Sequence, residues 1–182
     1  MSRELQKKAK DKENMRNRTY IAADFDHDEN AVKHLHWMKK QGIINFLDAH
    51  ELQQSNDSSL ACSIKKSLKY RMDNSYKFVL IVGSHTDTVS KGGCQLCDSY
   101  NSWGKYCAKG YAIDYRSFIK FECDKAVEAG LQIVVLYNST SVDRSLCPEA
   151  VRWKGTHQKM IYRGYDGKYY WDDTAIAQAM RG

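Results

Sequence analysis

The sequence lacks any apolar run that approaches the length of a membrane span, which takes about 20 consecutive apolar residues. Its first residues carry charges where a secretory signal peptide needs an apolar core. We therefore expect a soluble intracellular protein with a cytoplasmic location and no membrane partner. The sequence also lacks an internal repeat, and its 182 residues fit one domain with a sizeable core.

Charge is concentrated at one end of the chain. The sequence carries 28 Lys and Arg against 22 Asp and Glu, a formal net charge of +6. Residues 1–18 hold seven of these cations and three of the acids, so they supply +4, and the remainder is nearly balanced. Such an arm is more typical of a solvated terminal helix or tail than of a nucleic-acid interface. We expect a basic N-terminal arm or helix over 1–18, one domain over 19–182, and no nucleic-acid partner.

Strand and helix patterns alternate along the domain. Residues 77–83 and 131–137 each contain a continuous apolar run of five residues, which indicates strands buried on both faces. Regular alternation of strands and helices predicts an α/β fold in which helices cover both faces of a parallel sheet. The other predicted elements are strands at 19–23, 43–48 and 159–162, and helices at 30–40 (capped by Asp28 or Glu29), from Ser58 or Ser59 to Met72, at 115–130 and at 171–180.

The loops that follow the strands are the predicted ligand-binding region, because ligands bind beyond the C-terminal strand ends of such sheets. These loops cover 24–28, 48–57, 84–111 and 138–146. The segment 86–112 is long and Cys-rich, and long loops inside compact domains are often functional.

Three familiar nucleotide or phosphate sites are missing from these loops. No phosphate-binding glycine pattern follows the first strand and no P-loop is present, which argues against a Rossmann dinucleotide site and a P-loop nucleotide hydrolase. A phospho-acceptor receiver domain would need an Asp at the end of the third strand, where this chain has Gly83-Ser84-His85-Thr86.

The predicted helix at 115–130 places a carboxylate beside aromatic surface. Phe118 and Glu122 are four residues apart, so they share a face next to the apolar stripe of the helix. A carboxylate in these surroundings loses solvation and can meet a ligand without competition from bulk water. The alternative is an ordinary half-exposed Glu on an amphipathic helix.

Three ordered motifs resemble the bacterial and archaeal TIR-like family, which includes the TIR proteins of the Thoeris anti-phage systems. They lie at 20–26, 79–86 and 117–126. The most specific is an aromatic residue followed four positions later by Glu, which maps onto Phe118 and Glu122. Many family members have Trp in place of Phe118, and the compact members lack the long Cys-bearing loop. The resemblance covers 19–137 and extends to the closing helix.

The resemblance implies a three-layer, flavodoxin-like fold with a five-stranded parallel sheet. It also implies cleavage of NAD+ at the nicotinamide–ribose bond, which in Thoeris members makes a cyclic or otherwise modified ADP-ribose signal. Glu122 would be the catalytic residue, NAD+ or a related nucleotide the ligand, and a homo-oligomer the active assembly. The substrate-binding candidates are Asp24, Phe25, Asp26, Ser84, His85, Thr86 and Phe118.

The chemistry of a carboxylate fits this reaction independently. Breaking the bond develops oxocarbenium character on the ribose, which a carboxylate in a dry site stabilises. Phe25 and Phe118 offer stacking surface for the base or the nicotinamide. Asp24 and Asp26 suit ribose hydroxyls, although capping or solvated loop carboxylates are the alternative.

Cysteines form the last candidate site. Cys94 and Cys97, with Cys107 in the same loop, offer three thiolates for a structural zinc ion, and His85, Cys123 or Cys147 would complete a tetrahedron. A single C-x-x-C pair is weak support, and reduced thiols in a packed loop are the alternative.

Two further functional hypotheses stay open. A non-enzymatic TIR-like module would bind a nucleotide or a partner without turnover, since one fold hosts both uses. An enzyme similar to nucleoside deoxyribosyltransferases would use a glutamate at a sugar carbon and exchange bases on a nucleoside, leaving NAD+ untouched.

Overall fold

The computed structural model of this chain describes residues 18–48 and 60–182. The helices described are α1 (Glu29–Lys40), α2 (Ala61–Asp73), α3 (Phe118–Glu128) and α4 (Asp173–Arg181). The strands are β1 (Arg18–Ala22), β2 (Leu47–Asp48), β3 (Lys77–Val82), β4 (Tyr100–Asn101), β5 (Tyr106–Cys107), β6 (Gln132–Tyr137), β7 (Thr156–Lys159), β8 (Ile161–Arg163) and β9 (Tyr169–Trp171). The predicted basic arm, apart from Arg18, and the predicted cap at Ser58 or Ser59 lie outside the described residues.

A parallel sheet forms the centre of the molecule. Its strands lie in the order β2-β1-β3-β6-β7, and β3 pairs with β6 along its whole length, from Lys77 opposite Gln132 to Val82 opposite Tyr137. The two-residue β2 lies beside β1 at one edge. The predicted α/β fold with a parallel sheet is therefore confirmed.

The core has two parts because β3 buries side chains on both faces. Phe78, Leu80 and Val82 pack into one apolar cluster with α2 and α3. Val79 and Ile81 pack into the other with α1 and α4. This alternation explains why the 77–83 segment is apolar at nearly every position, since neither face of a central parallel strand meets water.

Helix α3 has a capping residue at its start and a glycine just after its end. Ser117 is its N-cap, and its hydroxyl oxygen accepts a hydrogen bond from the Lys120 amide at 3.2 Å. The helix ends before Gly130, whose φ of 65° is the left-handed conformation that glycine adopts without strain. The predicted helix over 115–130 is thus present but begins three residues later, at Phe118.

Several predicted boundaries are wrong for reasons of packing. In the predicted strand 43–48 only Leu47 and Asp48 pair with β1, and the buried residues Ile44 and Phe46 contribute to the core without strand pairing. The predicted strand at 159–162 divides between β7, which joins the main sheet, and β8, which pairs with β9 in a separate hairpin. The last helix begins at Asp173, after β9.

Within the described part of the chain, no helix combines the length and the apolar character needed to cross a membrane.

Candidate functional site

Glu122 lies on the buried face of α3 and is only 6% exposed. The hydroxyl of Tyr20, a fully buried residue of β1, donates a hydrogen bond to Glu122 Oε1. The Tyr20 ring stacks on Phe78 of β3, with 5.9 Å between ring centroids. These contacts hold the carboxylate of α3 against the central sheet, so Glu122 is not the half-exposed surface residue of the alternative interpretation.

Phe118, one turn before Glu122, is covered by the loop that follows β3. Its backbone amide donates to the Lys91 carbonyl at 2.9 Å. Gly92 lies so close that a Cβ atom placed there would stand 2.5 Å from the Phe118 ring. Val89 packs against the same apolar cluster as Phe118. The segment 89–93 therefore forms a cover over the start of α3, which we call the Gly92 cover.

The acidic loop after β1 is partly bound to itself. Asp24 is buried, and its carboxylate accepts the Asp26 amide at 3.2 Å and a hydrogen bond from His27 Nδ1 at 2.6 Å. Asp26 is exposed, with its carboxylate 3.5 Å from Lys91 Nζ. Phe25 is 49% exposed. Asp26 and Phe25 are therefore exposed to solvent, whereas Asp24 in the same loop is buried.

The residues after β3 have different roles in the structure. Thr86 is fully buried, and its hydroxyl oxygen accepts the Gly83 amide at 2.8 Å, so this side chain closes the turn after the strand. Ser84 and His85 are exposed and joined by a hydrogen bond of 2.9 Å between Oγ and Nδ1. The His85 ring stacks on His27 at 4.3 Å between centroids.

Sequence reasoning missed the surroundings of Asp28, which it predicted only as a cap of α1. The side chain makes no capping hydrogen bond. Instead Asp28 Oδ1 accepts from Asn138 Nδ2 at 2.8 Å, and Oδ2 has no hydrogen-bond partner among the described residues. Burial, with the Asp24 charge adding to it, raises the pKa of the Asp28 carboxyl. Gly83 leaves room for this carboxyl, since a Cβ atom there would stand 2.2 Å from Oδ1.

An ion-pair network holds the entry to α3. Arg116 contacts Asp124 at 2.6 Å and Asp114 at 2.8 Å, and Lys65 of α2 lies 3.4 Å from Asp114. Burial of Asp114 works against ionisation, but hydrogen bonds from Arg116 and the charge of Lys65 outweigh it and lower the pKa of Asp114 to about 2. The end of the Cys-rich loop is thereby fixed to both α2 and α3.

The predicted site residues thus fall into two groups. Phe118 lies under the Gly92 cover, with Glu122 one turn further along α3, while Asp24 and His85 meet through His27 at the ends of β1 and β3. Lys91 links the groups, because its carbonyl binds the Phe118 amide and its ammonium faces Asp26. Most of the predicted loop at 48–57 lies outside the described residues.

The candidate metal ligands also lie in two separate places, a small cavity and the core. Cys94, Cys97 and Cys107 line one small cavity, and the fourth cysteine there is Cys62 of α2. Cys123 and Cys147, which the sequence offered as fourth ligands, are buried in the core under α3. No spacing in the sequence marks Cys62, because its approach to the loop depends on how α2 packs.

Comparison with protein-family models finds none that matches the chain. Comparison with curated proteins likewise finds no match. The function proposed below therefore rests on the placement of these side chains and on the motif resemblance.

Proposed function

We propose that this chain is a TIR-like enzyme that cleaves NAD+ at the nicotinamide–ribose bond, with Glu122 as the catalytic carboxylate. The observation that carries the proposal is the position of Glu122, which is buried on α3 against the central sheet and tethered by Tyr20. A buried carboxylate is costly, so its presence at this position favours a chemical role. The motif resemblance at 20–26, 79–86 and 117–126 supports the same assignment.

The proposed reaction needs few protein groups. The C–N bond breaks with its electron pair moving to the nicotinamide nitrogen, and nicotinamide leaves neutral because it was bound as a cation. The ribose anomeric carbon becomes an oxocarbenium ion, which the Glu122 carboxylate stabilises in its dry surroundings. Water, or a nucleophile within the substrate, then captures the cation, and the adduct releases one proton to solvent and gives ADP-ribose or a cyclic isomer.

Supporting roles follow from where each side chain lies. Phe118 and the exposed Phe25 provide stacking surface for the bases, and Asp26 offers a carboxylate to ribose hydroxyls. Ser84 and His85 are exposed and offer hydrogen-bonding groups to phosphate or ribose. Asp24 acts on substrate through His27, to which it is already bound. Thr86 is assigned to the turn after β3, since its hydroxyl is engaged by Gly83.

The reaction requires Glu122 to become accessible to the substrate, because it is 6% exposed in this conformation. The Gly92 cover lies against Phe118, one turn earlier on α3, and is the segment that would move. The contact that joins the cover to the acidic loop, between Lys91 and Asp26, is between two exposed side chains. Exposed ion pairs of this kind contribute at most about 1 kcal/mol. Opening therefore costs little on that side, and a trigger or assembly into a homo-oligomer that displaces the cover would activate the enzyme.

We also propose that the fold is the three-layer, flavodoxin-like arrangement. The strand order supports it, because numbering the main-sheet strands in sequence gives 2-1-3-4-5, the flavodoxin-like order. Ligands bind such folds at the point where the strand order reverses, here between β1 and β3, which is where Asp24 and His85 lie.

The test of the proposed function is Glu122→Gln, with Glu128→Gln as the matched control on the same helix. The amide introduced by Glu122→Gln retains an oxygen that can accept from Tyr20 but cannot stabilise a cation by charge, whereas Glu128 is exposed and pairs with Lys125. We expect nicotinamide release to fall at least about 100-fold for Glu122→Gln and to stay at the wild-type level for Glu128→Gln. Release is measured at several protein concentrations, together with mass spectrometry of nucleotides from expressing cells.

Wild-type turnover by Glu122→Gln would overturn the assigned role. The burial of Glu122 and its bond to Tyr20 also suit a second function, a TIR-like module that binds a nucleotide without cleaving it. Saturable NAD+ binding with no nicotinamide release, in both monomeric and assembled protein, would establish that module in place of the enzyme.

A further inference from the structure

Four of the six cysteines line one small cavity between α2 and the loop that follows β3. Cys62 comes from α2, Cys94 and Cys97 from the turn at Cys94–Leu96 and its end, and Cys107 from β5. The cavity they line has a volume of about 10 Å³, which is room for roughly one water molecule or ion. All four cysteines are free thiols.

The loop is folded so that its three cysteines converge. The Cys97 amide donates to the Cys94 carbonyl at 3.0 Å, which closes the turn between these two residues. The Tyr100 amide donates to the Cys97 carbonyl at 2.9 Å, and Tyr100 pairs with Cys107 in the β4–β5 hairpin. The fold thus places a third cysteine beside a C-x-x-C pair, whose spacing occurs in zinc sites.

The surroundings of Cys94 place a hydrogen-bond donor and a lysine side chain beside its sulfur. The Asp114 amide donates a hydrogen bond to Cys94 Sγ at 3.2 Å. Lys65 lies one turn after Cys62 on α2, is buried, and interacts electrostatically with Cys94. Its ammonium is held in place by the carbonyls of Asp114 at 3.1 Å and Arg116 at 2.6 Å. A fixed cation beside a cluster of thiolates offsets part of the negative charge that four of them bring to one metal ion.

We propose that Cys62, Cys94, Cys97 and Cys107 bind one zinc ion that ties the Cys-rich loop to α2. Among residues 18–48 and 60–182, no three His, Cys, Asp or Glu side chains already stand as a metal-ligand group. Binding therefore requires the four thiols to turn their Sγ atoms into the cavity, to about 2.3 Å from the metal, and each thiol releases a proton as it binds. Tetrahedral coordination by four sulfurs selects zinc or iron over harder cations.

A zinc ion at this position would fix the Cys-rich loop to α2 next to the candidate site. Gly92 and Lys91, which cover Phe118, come shortly before Cys94 in the chain. Fixing Cys94 and Cys97 to α2 would hold one end of the Gly92 cover in place. The zinc site itself does not depend on the proposed NAD+ chemistry, and its test uses no activity measurement.

The test measures zinc in the full chain purified without chelator. We expect about one zinc ion per chain, with titration by a mercurial reagent releasing the metal as four thiols react. Replacing zinc by Co²⁺ should give the absorption bands of tetrahedral thiolate coordination. Cys97→Ser and Cys62→Ser should each retain at least about tenfold less zinc than the wild type. Cys123→Ala, a buried cysteine away from the cavity, should retain the full amount.

Cys62→Ser is the decisive variant, because this cysteine lies outside the loop and its place at the cavity depends on the tertiary arrangement. Full zinc retention by Cys62→Ser would overturn the four-cysteine site. Zinc well below one ion per chain in wild type supplied with zinc, a disulfide among these four cysteines, or bound iron in place of zinc would overturn it as well. Because the mercurial and Co²⁺ measurements use the wild-type chain, the proposal remains testable if a variant fails to fold.

Discussion

At the scale of single residues, two buried carboxylates have different partners. Glu122 is bound by the Tyr20 hydroxyl, whereas Asp28 has Asn138 on one oxygen and no hydrogen-bond partner among the described residues on the other. The spacing between Glu122 and Phe118 singled out the first of these from the sequence. No comparable signal marked Asp28, because the contact with Asn138 joins residues on two different strand-end loops.

The burial of Asp28 predicts how stability changes with pH. Because its pKa is raised above the ordinary 3.8, mainly by burial, the folded state favours the protonated form. This group's contribution to the free energy of unfolding is fully present below the ordinary pKa and is lost as pH rises through the folded-state pKa. We expect Asp28→Asn to remove this dependence, so the stability of the variant should rise relative to wild type as pH increases above about 4.

The measurement is urea unfolding of wild type and Asp28→Asn at several pH values. Asp73→Asn is the control, since Asp73 is an exposed partner of Lys69 at 2.7 Å and its loss should leave the pH trend of wild type intact. A constant stability difference between Asp28→Asn and wild type across this range would contradict the role assigned to Asp28.

At the scale of elements, the Cys-rich loop and α3 pack against each other at one close contact. Gly92 has a φ of 99°, and a Cβ atom there would overlap the Phe118 ring. Gly110, in the same loop, has a φ of 75° but nothing within 4 Å of its Cβ position. Both glycines therefore adopt a left-handed backbone conformation that disfavours other residues, and at Gly92 a side chain would also collide with the Phe118 ring.

Comparing substitutions at these two glycines tests how tightly the Gly92 cover packs on Phe118. Gly92→Ala should destabilise the protein by about 1–3 kcal/mol more than Gly110→Ala, because overpacking adds to the left-handed backbone cost that both variants have. Thermal unfolding gives the stability difference, and limited proteolysis within 84–116 shows whether the loop has separated from α3. Equal effects of the two substitutions would mean that Gly92 and Phe118 are not in contact in solution.

At the scale of the whole molecule, α4 closes the second core cluster. Ile176 is fully buried there among side chains of α1, β3 and β6. The Lys77 ammonium of β3 donates to the Met180 carbonyl and holds the end of this helix to the sheet. Burial also lowers the pKa of Lys77. The attachment of α4 to the sheet therefore combines apolar packing with one buried hydrogen bond.

Ile176→Ala should therefore lower the free energy of unfolding by about 2–5 kcal/mol, the usual cost of a core cavity. Gln178→Ala, an exposed change on the same helix, should stay within about 0.5 kcal/mol of wild type. Chemical denaturation of both variants provides the comparison. A small effect of Ile176→Ala would show that α4 does not complete the core.

Much of the architecture could be predicted because its signals are local. The apolar runs within 77–83 and 131–137 correspond to β3 and β6, and the glycine at position 130 follows the end of α3. Boundaries were less accurate where apolar residues serve the core without pairing, as Ile44 and Phe46 do. The division of 159–162 between two sheets also had no local signal. Met160, which lies between the two strands, is an apolar residue buried in the core, so the sequence reads as one continuous strand there.

Periodicity and spacing along the chain were enough to predict the alternation of strands and helices and the loops that follow the sheet strands, and the motif resemblance added Glu122 with Phe118 as the candidate centre. These signals act within a few residues, so they can be read without coordinates. The folded chain was needed to find that Tyr20 binds Glu122, that Gly92 covers Phe118, and that Cys62 joins the loop cysteines. Each of these contacts joins residues far apart along the chain, so it depends on how the helices pack on the sheet.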